Sequence, residues 1–385
     1  MNLANPIQRA RMEEGGPDRS LPVRFILSMI SIGYGAIVQC RHTLYQKNIF
    51  QTKKLPCVVI SIGNLTVGGT GKTPMTIHLA RMIKRLGYHV GVISRGYRGS
   101  AEKIGGVVCD GRTISMGPDI AGDEPFMIAK KLKSVPVLVG ENRFIAGMRA
   151  VREFEVDVIL LDDGFQHLRL ERDVNLVLLD CKSPFGNGHL LPRGTLREPI
   201  GSLFRGDAFV LTRCDSCEDA TINTSKRLPP DKPVFISSHR PFVSHIFKTG
   251  DISVESDLSE SFTNNYDFLK GHPAVCFSGI ARNNEFMHTV NNIGCTVTRF
   301  FSFSDHHRYS GQDLKKIAAA AELTNAEFIL TTAKDFVRIP KGIKWPSDFV
   351  VIDVEISFGP DEDGFNEFIK SWIEGFKKKT NDKHV

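Results

Sequence analysis

The sequence is poor in cysteine. Eight cysteines among 385 residues are too few for a disulfide scaffold and are typical of a protein in a reducing cytoplasm. Cys214 and Cys217 form one Cys-x-x-Cys pair, but no second Cys or His pair lies at zinc-finger spacing, so incidental thiols are favoured over a zinc site. The contents of 41% hydrophobic and 24% charged residues exclude wholesale disorder and the collagen-like and coiled-coil classes.

Acidic residues are missing from a long segment near the N-terminus. No Asp or Glu occurs between Asp18 and Glu102, whereas the window 19–101 contains twelve basic residues. The window therefore carries a charge of +12, although the whole chain carries only +6. This imbalance predicts a partner that bears phosphates or an anionic surface, without specifying which one.

The uncharged run Phe25–Val38 lies inside this window. Its 14 residues would form a helix of about 21 Å, short of the ~30 Å hydrocarbon core, so a spanning helix is not expected. A signal peptide is not expected either, because acidic residues precede the run. Two interpretations stay open, a helix packed on the core and a membrane-interface helix. The bases at 24, 41, 47, 53 and 54 favour the second.

From residue 57 onward, short apolar runs alternate with helical patterns. Continuous apolar strands indicate a sheet buried on both faces, hence an α/β fold with a mostly parallel sheet flanked by helices. The predicted strands are 57–62, 89–94, 136–140, 156–163, 174–180, 207–212, 234–239, 274–280, 295–301, 327–332 and 348–354. The predicted domains are a tail and helix at 1–50, a core at 51–230, a linker at 231–270 and a second, smaller α/β lobe at 271–385.

The strongest motif is Thr66-Val67-Gly68-Gly69-Thr70-Gly71-Lys72-Thr73, which follows a strand and opens a helix as a P-loop does. Its glycines allow backbone N–H groups to face phosphate oxygens. Lys72 would reach the β- and γ-phosphates, and the Thr73 hydroxyl would bind Mg²⁺. The strict pattern begins with Gly where this chain has Thr66. The motif predicts a nucleoside triphosphate and Mg²⁺ as ligands.

Two acidic motifs accompany the P-loop. The apolar run 158–161 ends in Asp162 and Asp163, and a buried carboxylate pair at a strand end is costly without a cation, so we expect both to lie at Mg²⁺. In Gly-Asp-Glu-Pro, Asp123 is most simply a helix N-cap, with a general base as the alternative.

Two further motifs leave their role open. Asp305-His306-His307 is compatible with a metal site, an acid/base pair or an exposed turn. Arg95 and Arg98 follow a strand, where they would bind an anionic substrate or lie in solvent.

Together these segments closely resemble the tetraacyldisaccharide 4′-kinase family of Gram-negative bacteria. The matching stretches are SIGNLTVGGTGKTP, SRGYRG, GDEP, DDGFQH, GNGHLLPRGTLREP, FSDHH and TTAKD. The resemblance implies a P-loop fold that uses ATP and Mg²⁺ to phosphorylate the 4′-hydroxyl of the lipid tetraacyldisaccharide 1-phosphate. It also implies a position at an anionic membrane surface, the cytoplasmic face of the bacterial inner membrane, and no nucleic-acid partner.

The resemblance also implies roles for individual residues. These are phosphate binding for Lys72, magnesium binding for Thr73, Asp162 and Asp163, the catalytic base for Asp123, its orienting partner for His306, and substrate binding for Arg95, Arg98, Gln166 and Glu198. His306 is preferred to His307 because it directly follows Asp305. Since His306 lies more than 180 residues after Asp123, we expect closure of two lobes to bring them together.

Two other functional classes compete with a kinase. A P-loop switch or partitioning ATPase with a deviant loop would carry Lys where this chain has Val67, and Lys334-Asp335 lacks the spacing of a guanine-binding motif. A membrane-bound nucleotide-binding adaptor is less favoured, because binding alone does not require so many carboxylates.

Overall fold

The computed structural model describes residues 21–214, 224–249, 265–340 and 342–381. The predicted N-terminal tail up to residue 20, Cys217 and most of the polar stretch 250–268 lie outside the described residues. The helices, labelled in chain order, are α1 (Leu21–Gln46), α2 (Lys72–Arg85), α3 (Pro118–Ala121), α4 (Asp123–Lys131), α5 (Arg143–Phe154), α6 (Asn283–Ile293), α7 (Gly311–Leu323), α8 (Ala333–Phe336) and α9 (Glu362–Asn381). The strands are β1 (Val58–Asn64), β2 (Val90–Ser94), β3 (Gly106–Asp110), β4 (Pro136–Val139), β5 (Val158–Asp162), β6 (Val174–Asp180), β7 (Ala208–Thr212), β8 (Val234–Ile236), β9 (Ser238–Phe247), β10 (Pro273–Ser278), β11 (Thr296–Ser302), β12 (Phe328–Thr332) and β13 (Asp348–Ser357).

The described residues form two compact units, each assembled from separate chain segments. Unit 1 contains residues up to 72, 157–238 and from 358 onward, and unit 2 contains 73–156 and 239–357. The domain division predicted from the sequence follows contiguous segments and stays a prediction.

The core of unit 1 is a parallel sheet with the strand order β5-β1-β6-β7-β8. All residues of β1, β5, β6 and β7 are buried, which confirms the parallel sheet predicted from continuous apolar strands. Because the strands are parallel, their carboxyl ends meet at one edge. Asn64, Asp162 and Asp180 are the last residues of β1, β5 and β6 at that edge, where α/β sheets bind ligands.

Helix α1 is longer than the uncharged run predicts. It has 26 residues, about 39 Å of helix, because Arg24 and Arg41 continue the helix instead of ending it. Pro22–Gln46 is, among the described residues, the one helix long and apolar enough to cross a membrane by length and composition. The expectation that length excludes a spanning helix is therefore wrong.

The apolar side chains of α1 do not enter the core of unit 1. Phe25, Ile32 and Ile37 are 66%, 67% and 70% exposed. The α1 residues with described side chains that are buried are the polar Ser31 and His42. Helix α1 thus contacts unit 1 with a polar face and leaves its apolar face uncovered.

Unit 2 contains two groups of strands. Strand β4 pairs with β2 in parallel and with β3 in antiparallel orientation. A second sheet has the order β11-β10-β12-β13-β9, with β10 parallel to β11 and β12, and β12 parallel to β13. Its core includes Phe277, Ile317, Trp345 and Phe349.

Three parts of the sequence prediction are wrong or incomplete. No strand was predicted at β3. The single strand predicted at 234–239 is two strands, β8 and β9, which belong to different units. Helix α9 was not predicted from the sequence. Phe365, Ile369 and Ile373, each four residues apart, are fully buried, and this helical spacing is the signal that reveals it.

Candidate active site

The P-loop connects β1 to α2 and is fixed by its neighbours in unit 1. Gly68 and Gly71 have φ values of 119° and 85°, which side-chain-bearing residues rarely adopt. The Val67 amide donates to the Thr195 carbonyl at 2.8 Å, and the Thr212 hydroxyl donates to the Thr70 carbonyl at 3.1 Å. The loop is thus held open as a backbone cradle of the kind that binds phosphate.

Asn64, at the end of β1, is a site residue that the sequence reasoning missed. Its side-chain amide donates to the Thr66 carbonyl at 2.7 Å, and its Oδ1 accepts from Lys72 Nζ at 3.2 Å. Asn64 is fully buried, whereas the side chain of Lys72 retains 13% exposure. One buried amide therefore positions both the loop and its lysine. Asn64 belongs to the SIGN stretch that precedes the loop, and this stretch is the signal that could have identified it.

The two predicted carboxylates at the end of β5 have different surroundings. Asp162 is 2% exposed, whereas the side chain of Asp163 is about one-third exposed. Both oxygens of Asp163 accept from Arg197 Nη1, at 2.9 and 2.8 Å, and Lys72 Nζ lies 3.6 Å from Oδ1. Gln166 joins this group, because its amide donates to the Asn64 carbonyl at 2.9 Å.

This arrangement is compatible with a magnesium ion. The described residues contain no group of three or more His, Cys, Asp or Glu side chains placed to hold a metal. Mg²⁺ in nucleotide sites, however, is usually held by only one or two carboxylates together with phosphate oxygens and water. Asp162 and Asp163 meet that requirement.

Glu198 lies in a buried ionic cluster of unit 1. It is 1% exposed and pairs with Arg205, while His42 Nε2 of α1 lies 3.3 Å from its Oε1. The His42 contact is an ion-pair distance and not an aligned hydrogen bond, because neither atom has a partner of hydrogen-bond geometry. Burial raises the pKa of Glu198, but the contact with His42 and the charge of Arg205 outweigh it, so the pKa is lowered.

Asp123 and His306 are brought together in unit 2. His306 Nδ1 lies 2.9 Å from Asp123 Oδ2. We expected closure of two lobes to be needed for this contact, but here both residues belong to one compact unit and are already hydrogen-bonded. His307 instead stacks on Phe303 and lies 3.1 Å from Asp313 Oδ2.

The N-cap interpretation of Asp123 is wrong. Gly122 occupies the cap position of α4 with a φ of 90°, and Asp123 is the first helical residue. A side chain at position 122 would also meet the Tyr97 carbonyl at 2.9 Å. The Asp123 carboxylate therefore does not bond to the helix amides. It faces His306 and Arg338 instead.

Arg338, which the sequence reasoning also missed, donates from Nε to Asp123 Oδ2 at 2.8 Å. Burial raises the pKa of Asp123, but the hydrogen bond from His306 and the charge of Arg338 outweigh it and lower the pKa. Lys334 Nζ lies 3.4 Å from Glu124, 3.4 Å from Asp305 and 3.5 Å from His306 Nε2. The site in unit 2 is thus an ionised carboxylate in contact with an imidazole and surrounded by paired charges.

The predicted arginines lie on the loop after β2. Arg95 Nε pairs with Glu102 at 2.6 Å, and its side chain is half exposed. The Arg98 guanidinium lies over the Tyr97 ring at 5.5 Å, and the Tyr97 ring lies 6.3 Å from the His306 ring. This loop therefore borders the Asp123–His306 pair.

Comparisons with known proteins agree with this geometry. The sequence model of the family described as tetraacyldisaccharide-1-P 4′-kinase matches residues 23–374. The tetraacyldisaccharide 4′-kinase of Desulfatibacillum aliphaticivorans is 38% identical over 95% of this chain and 98% of its own length. That of Syntrophus aciditrophicus is 38% identical over 92% of this chain and 96% of its own.

A solved structure gives the same result. The crystal structure of LpxK from Aquifex aeolicus in complex with ATP matches with a TM-score of 0.69 and 31% identity, over 91% of this chain and 99% of that one. The fold is the P-loop kinase fold of that protein, with mostly parallel sheets flanked by helices. With the family matched along nearly the whole chain, in sequence and in structure, this protein belongs to the tetraacyldisaccharide 4′-kinase family.

Proposed function

We propose that this protein transfers the γ-phosphoryl group of ATP to the 4′-hydroxyl of tetraacyldisaccharide 1-phosphate. The observation that carries the proposal is the Asp123–His306 hydrogen bond at 2.9 Å. A nucleotide switch or an adaptor needs a P-loop, but it does not need a second site with an ionised carboxylate fixed by an imidazole. A kinase needs such a base for the proton of its acceptor hydroxyl.

The nucleotide is assigned to the P-loop of residues 66–73. Its backbone amides and Lys72 bind the phosphates and neutralise their charge. Asn64 supports this role, because it fixes the lysine and the Thr66 carbonyl in one hydrogen-bonded group. The choice of ATP rests on family membership and on the ATP bound by LpxK from Aquifex aeolicus.

Magnesium is assigned to the Thr73 hydroxyl and to Asp162 and Asp163. When bound, Mg²⁺ supplies charge neutralisation of the transferring phosphoryl group. Arg197 would orient one of these ligands, Asp163, because its Nη1 donates to both carboxylate oxygens.

The transfer forms one bond and breaks one. The 4′-oxygen attacks the γ-phosphorus, the bond from that phosphorus to the bridging oxygen breaks, and ADP leaves. The proton of the hydroxyl passes to Asp123. His306 positions the carboxylate that accepts it.

Substrate binding is assigned to Arg95, Arg98, Gln166 and Glu198. Arg98 borders the Asp123–His306 pair, and its guanidinium lies over Tyr97, so it supplies a positive charge beside the acceptor sugar. Arg95 and Gln166 are already paired with Glu102 and with the Asn64 carbonyl. Glu198 acts indirectly, since its buried carboxylate faces His42 and Arg205.

The site of action is assigned to an anionic membrane surface, the cytoplasmic face of the bacterial inner membrane. The exposed apolar face of α1 supports this assignment, as do the basic residues of the acid-free window. No nucleic-acid partner is proposed.

The test is a kinase assay with labelled ATP and the disaccharide lipid in mixed micelles. Wild type should give a lipid product with label at the 4′ position. Lys72→Ala should abolish turnover, and Asp123→Ala should lower kcat by about 10²–10⁴-fold. The control is Arg308→Ala, which removes an exposed ion pair to Asp119 and should leave the rate unchanged. ATP hydrolysis by wild type without a phosphorylated lipid would refute the kinase proposal.

A further inference from the structure

Arg338 lies at the centre of the site in unit 2, although no motif points to it. Its side chain is 4% exposed, so its charge is almost entirely removed from water and needs paired anions. Arg338 follows α8 by two residues, and its amide donates to the Asp335 carbonyl at 2.9 Å. The turn that begins at Lys334-Asp335 therefore delivers the guanidinium to Asp123.

Two of the three guanidinium nitrogens, Nε and Nη1, donate hydrogen bonds, and the third, Nη2, only lies near His306 Nδ1, because that nitrogen already donates to Asp123. Nε donates to Asp123 Oδ2 at 2.8 Å, and Nη2 lies 3.2 Å from His306 Nδ1. Nη1 donates to the Gly279 carbonyl at 3.1 Å and to Asp335 Oδ1 at 3.2 Å. A lysine has one nitrogen and cannot reproduce this planar set of contacts.

The far end of Arg338 is anchored to a rigid support. Asp335 is fully buried, and its Oδ1 also accepts from the Gly279 amide at 3.0 Å. Its Oδ2 accepts from the Thr332 hydroxyl at 2.6 Å. Because both Asp335 oxygens accept hydrogen bonds, the Asp335 carboxylate is fixed, and it in turn holds Nη1 of Arg338 in place.

At Asp123, the hydrogen bonds from His306 and Arg338 use only one of the two carboxylate oxygens. Both His306 and Arg338 bond to Oδ2, and Oδ1 accepts no hydrogen bond from the described residues. A carboxylate held through one oxygen presents the other, with its lone pairs, to a reacting hydroxyl. The described charged or titratable groups around Asp123 are Glu124 on α4, Asp305 and His306, Lys334, Asp335 and Arg338, and Tyr97 with Arg98.

We propose that Arg338 is a positioning residue for phosphoryl transfer, whose guanidinium fixes Asp123, the hydrogen-bond partner of His306, and directs Asp123 Oδ1 to the acceptor hydroxyl. This inference rests on the proposed kinase function, because Arg338 has a base to position only if Asp123 is the base of the kinase reaction. The charge of Arg338 also keeps the Asp123 carboxylate ionised, so that it is ready to accept a proton.

The test compares Arg338→Met and Arg338→Lys with the control Arg308→Ala, using wild-type full-length enzyme as the reference. Arg338→Met should lower kcat by about 10²-fold, as expected for a misplaced base, and leave the KM for ATP within about 3-fold. The acidic limb of kcat/KM should move to higher pH by about 1 unit or more, because Asp123 loses a neighbouring cation. The kcat of Arg338→Lys and the position of its acidic limb should lie between those of wild type and Arg338→Met.

A second measurement separates positioning from folding. In an Asp123→Asn background, Arg338→Met should cause less than about 3-fold further loss, because there is no longer a base to position. A further loss of about 10²-fold in that background would overturn the proposal, since Arg338 would then act independently of Asp123. If Arg338→Met does not fold, the acidic limb of Arg338→Lys decides, and an unchanged limb with wild-type kcat overturns the proposal. Wild-type enzyme without lipid product would count instead against the proposed function.

Discussion

Asn64 offers a sharp test of how the P-loop is held. Asn64→Leu keeps the approximate size of a fully buried side chain but removes its hydrogen bonds to the Thr66 carbonyl and to Lys72. A neutral hydrogen bond contributes about 1 kcal/mol and one to a charged group about 1.5–3 kcal/mol. We therefore expect the free energy of unfolding to fall by about 2–4 kcal/mol and the melting temperature by about 2–5 °C.

The same change should weaken nucleotide binding. Without Asn64, Lys72 retains Asp163 as its neighbour at 3.6 Å, so we expect the ammonium to move toward that carboxylate and the ATP affinity to fall about 10-fold, or 1.4 kcal/mol. Asn64→Asp should weaken ATP binding more than Asn64→Leu. The carboxylate repels both the Thr66 carbonyl and the ATP phosphates, and it binds the lysine more strongly.

Thermal unfolding with and without ATP measures both effects. ATP at about 100 times its Kd stabilises a protein by about 2.7 kcal/mol, and a 10-fold weaker variant should lose about half of that stabilisation at the same concentration. The control is Asn142→Ala, which removes the N-cap of α5 and should cost about 1 kcal/mol of stability without changing the response to ATP. If Asn64→Leu melts like wild type and retains the full ATP response, the loop is held by other contacts and the reasoning is refuted.

Two further predictions concern Glu198 and the membrane. Glu198→Gln should lower the free energy of unfolding by about 1.5–3 kcal/mol at pH 7, because it leaves the partly buried Arg205 without its anion, whereas Glu153→Gln at an exposed pair should change it by less than about 0.5 kcal/mol. The pKa of Glu198 in the folded protein lies below the unfolded value of about 4.3, so the stabilisation by Glu198 is complete above that pH and is lost as the pH falls through the folded pKa. Urea unfolding at several pH values measures this loss. Equal acid sensitivity of wild type and Glu198→Gln would contradict the prediction. Binding to anionic vesicles should decrease with salt, and glutamine at positions 24, 41, 47, 53 and 54 should weaken it by about 1 kcal/mol per residue. Co-sedimentation with the vesicles measures this binding. If neither added salt nor the glutamine substitutions reduce it, the electrostatic part of the membrane proposal is refuted.

The parts of the fold that could be predicted from sequence are those with a local cause. The six strands predicted between 57 and 212 lie within two residues of their observed bounds, because each is a short apolar run between turn residues, whereas β3 in the same stretch was not predicted. The P-loop was recognised because phosphate binding requires its glycines, Lys72 and Thr73 at fixed spacing.

The remaining site residues depend on contacts between distant segments. Arg338 is 215 residues from Asp123 in sequence, and no pattern near either residue specifies that they meet. From its own motif Asp123 was interpreted as a cap, because a local helix amide is the nearest partner that a sequence reveals, and only the family resemblance implied a catalytic base. The length of α1 was underestimated for a related reason, since the end of a helix is not fixed by the end of an uncharged run.

The polar face of α1 has a consequence for preparing this enzyme. Tyr34 donates to the Arg197 carbonyl at 2.8 Å, and Ser31 donates to the Leu190 carbonyl at 2.9 Å. Deleting α1 to obtain an enzyme that needs no detergent would therefore release the loop that carries Arg197 and remove His42 from Glu198. A better route for inhibitor screening keeps the helix and replaces only its outward apolar residues, such as Phe25 and Ile37, with polar ones. This change would remove the apolar surface of α1 but keep its polar contacts to the loop that carries Arg197 and to the buried ionic cluster of Glu198.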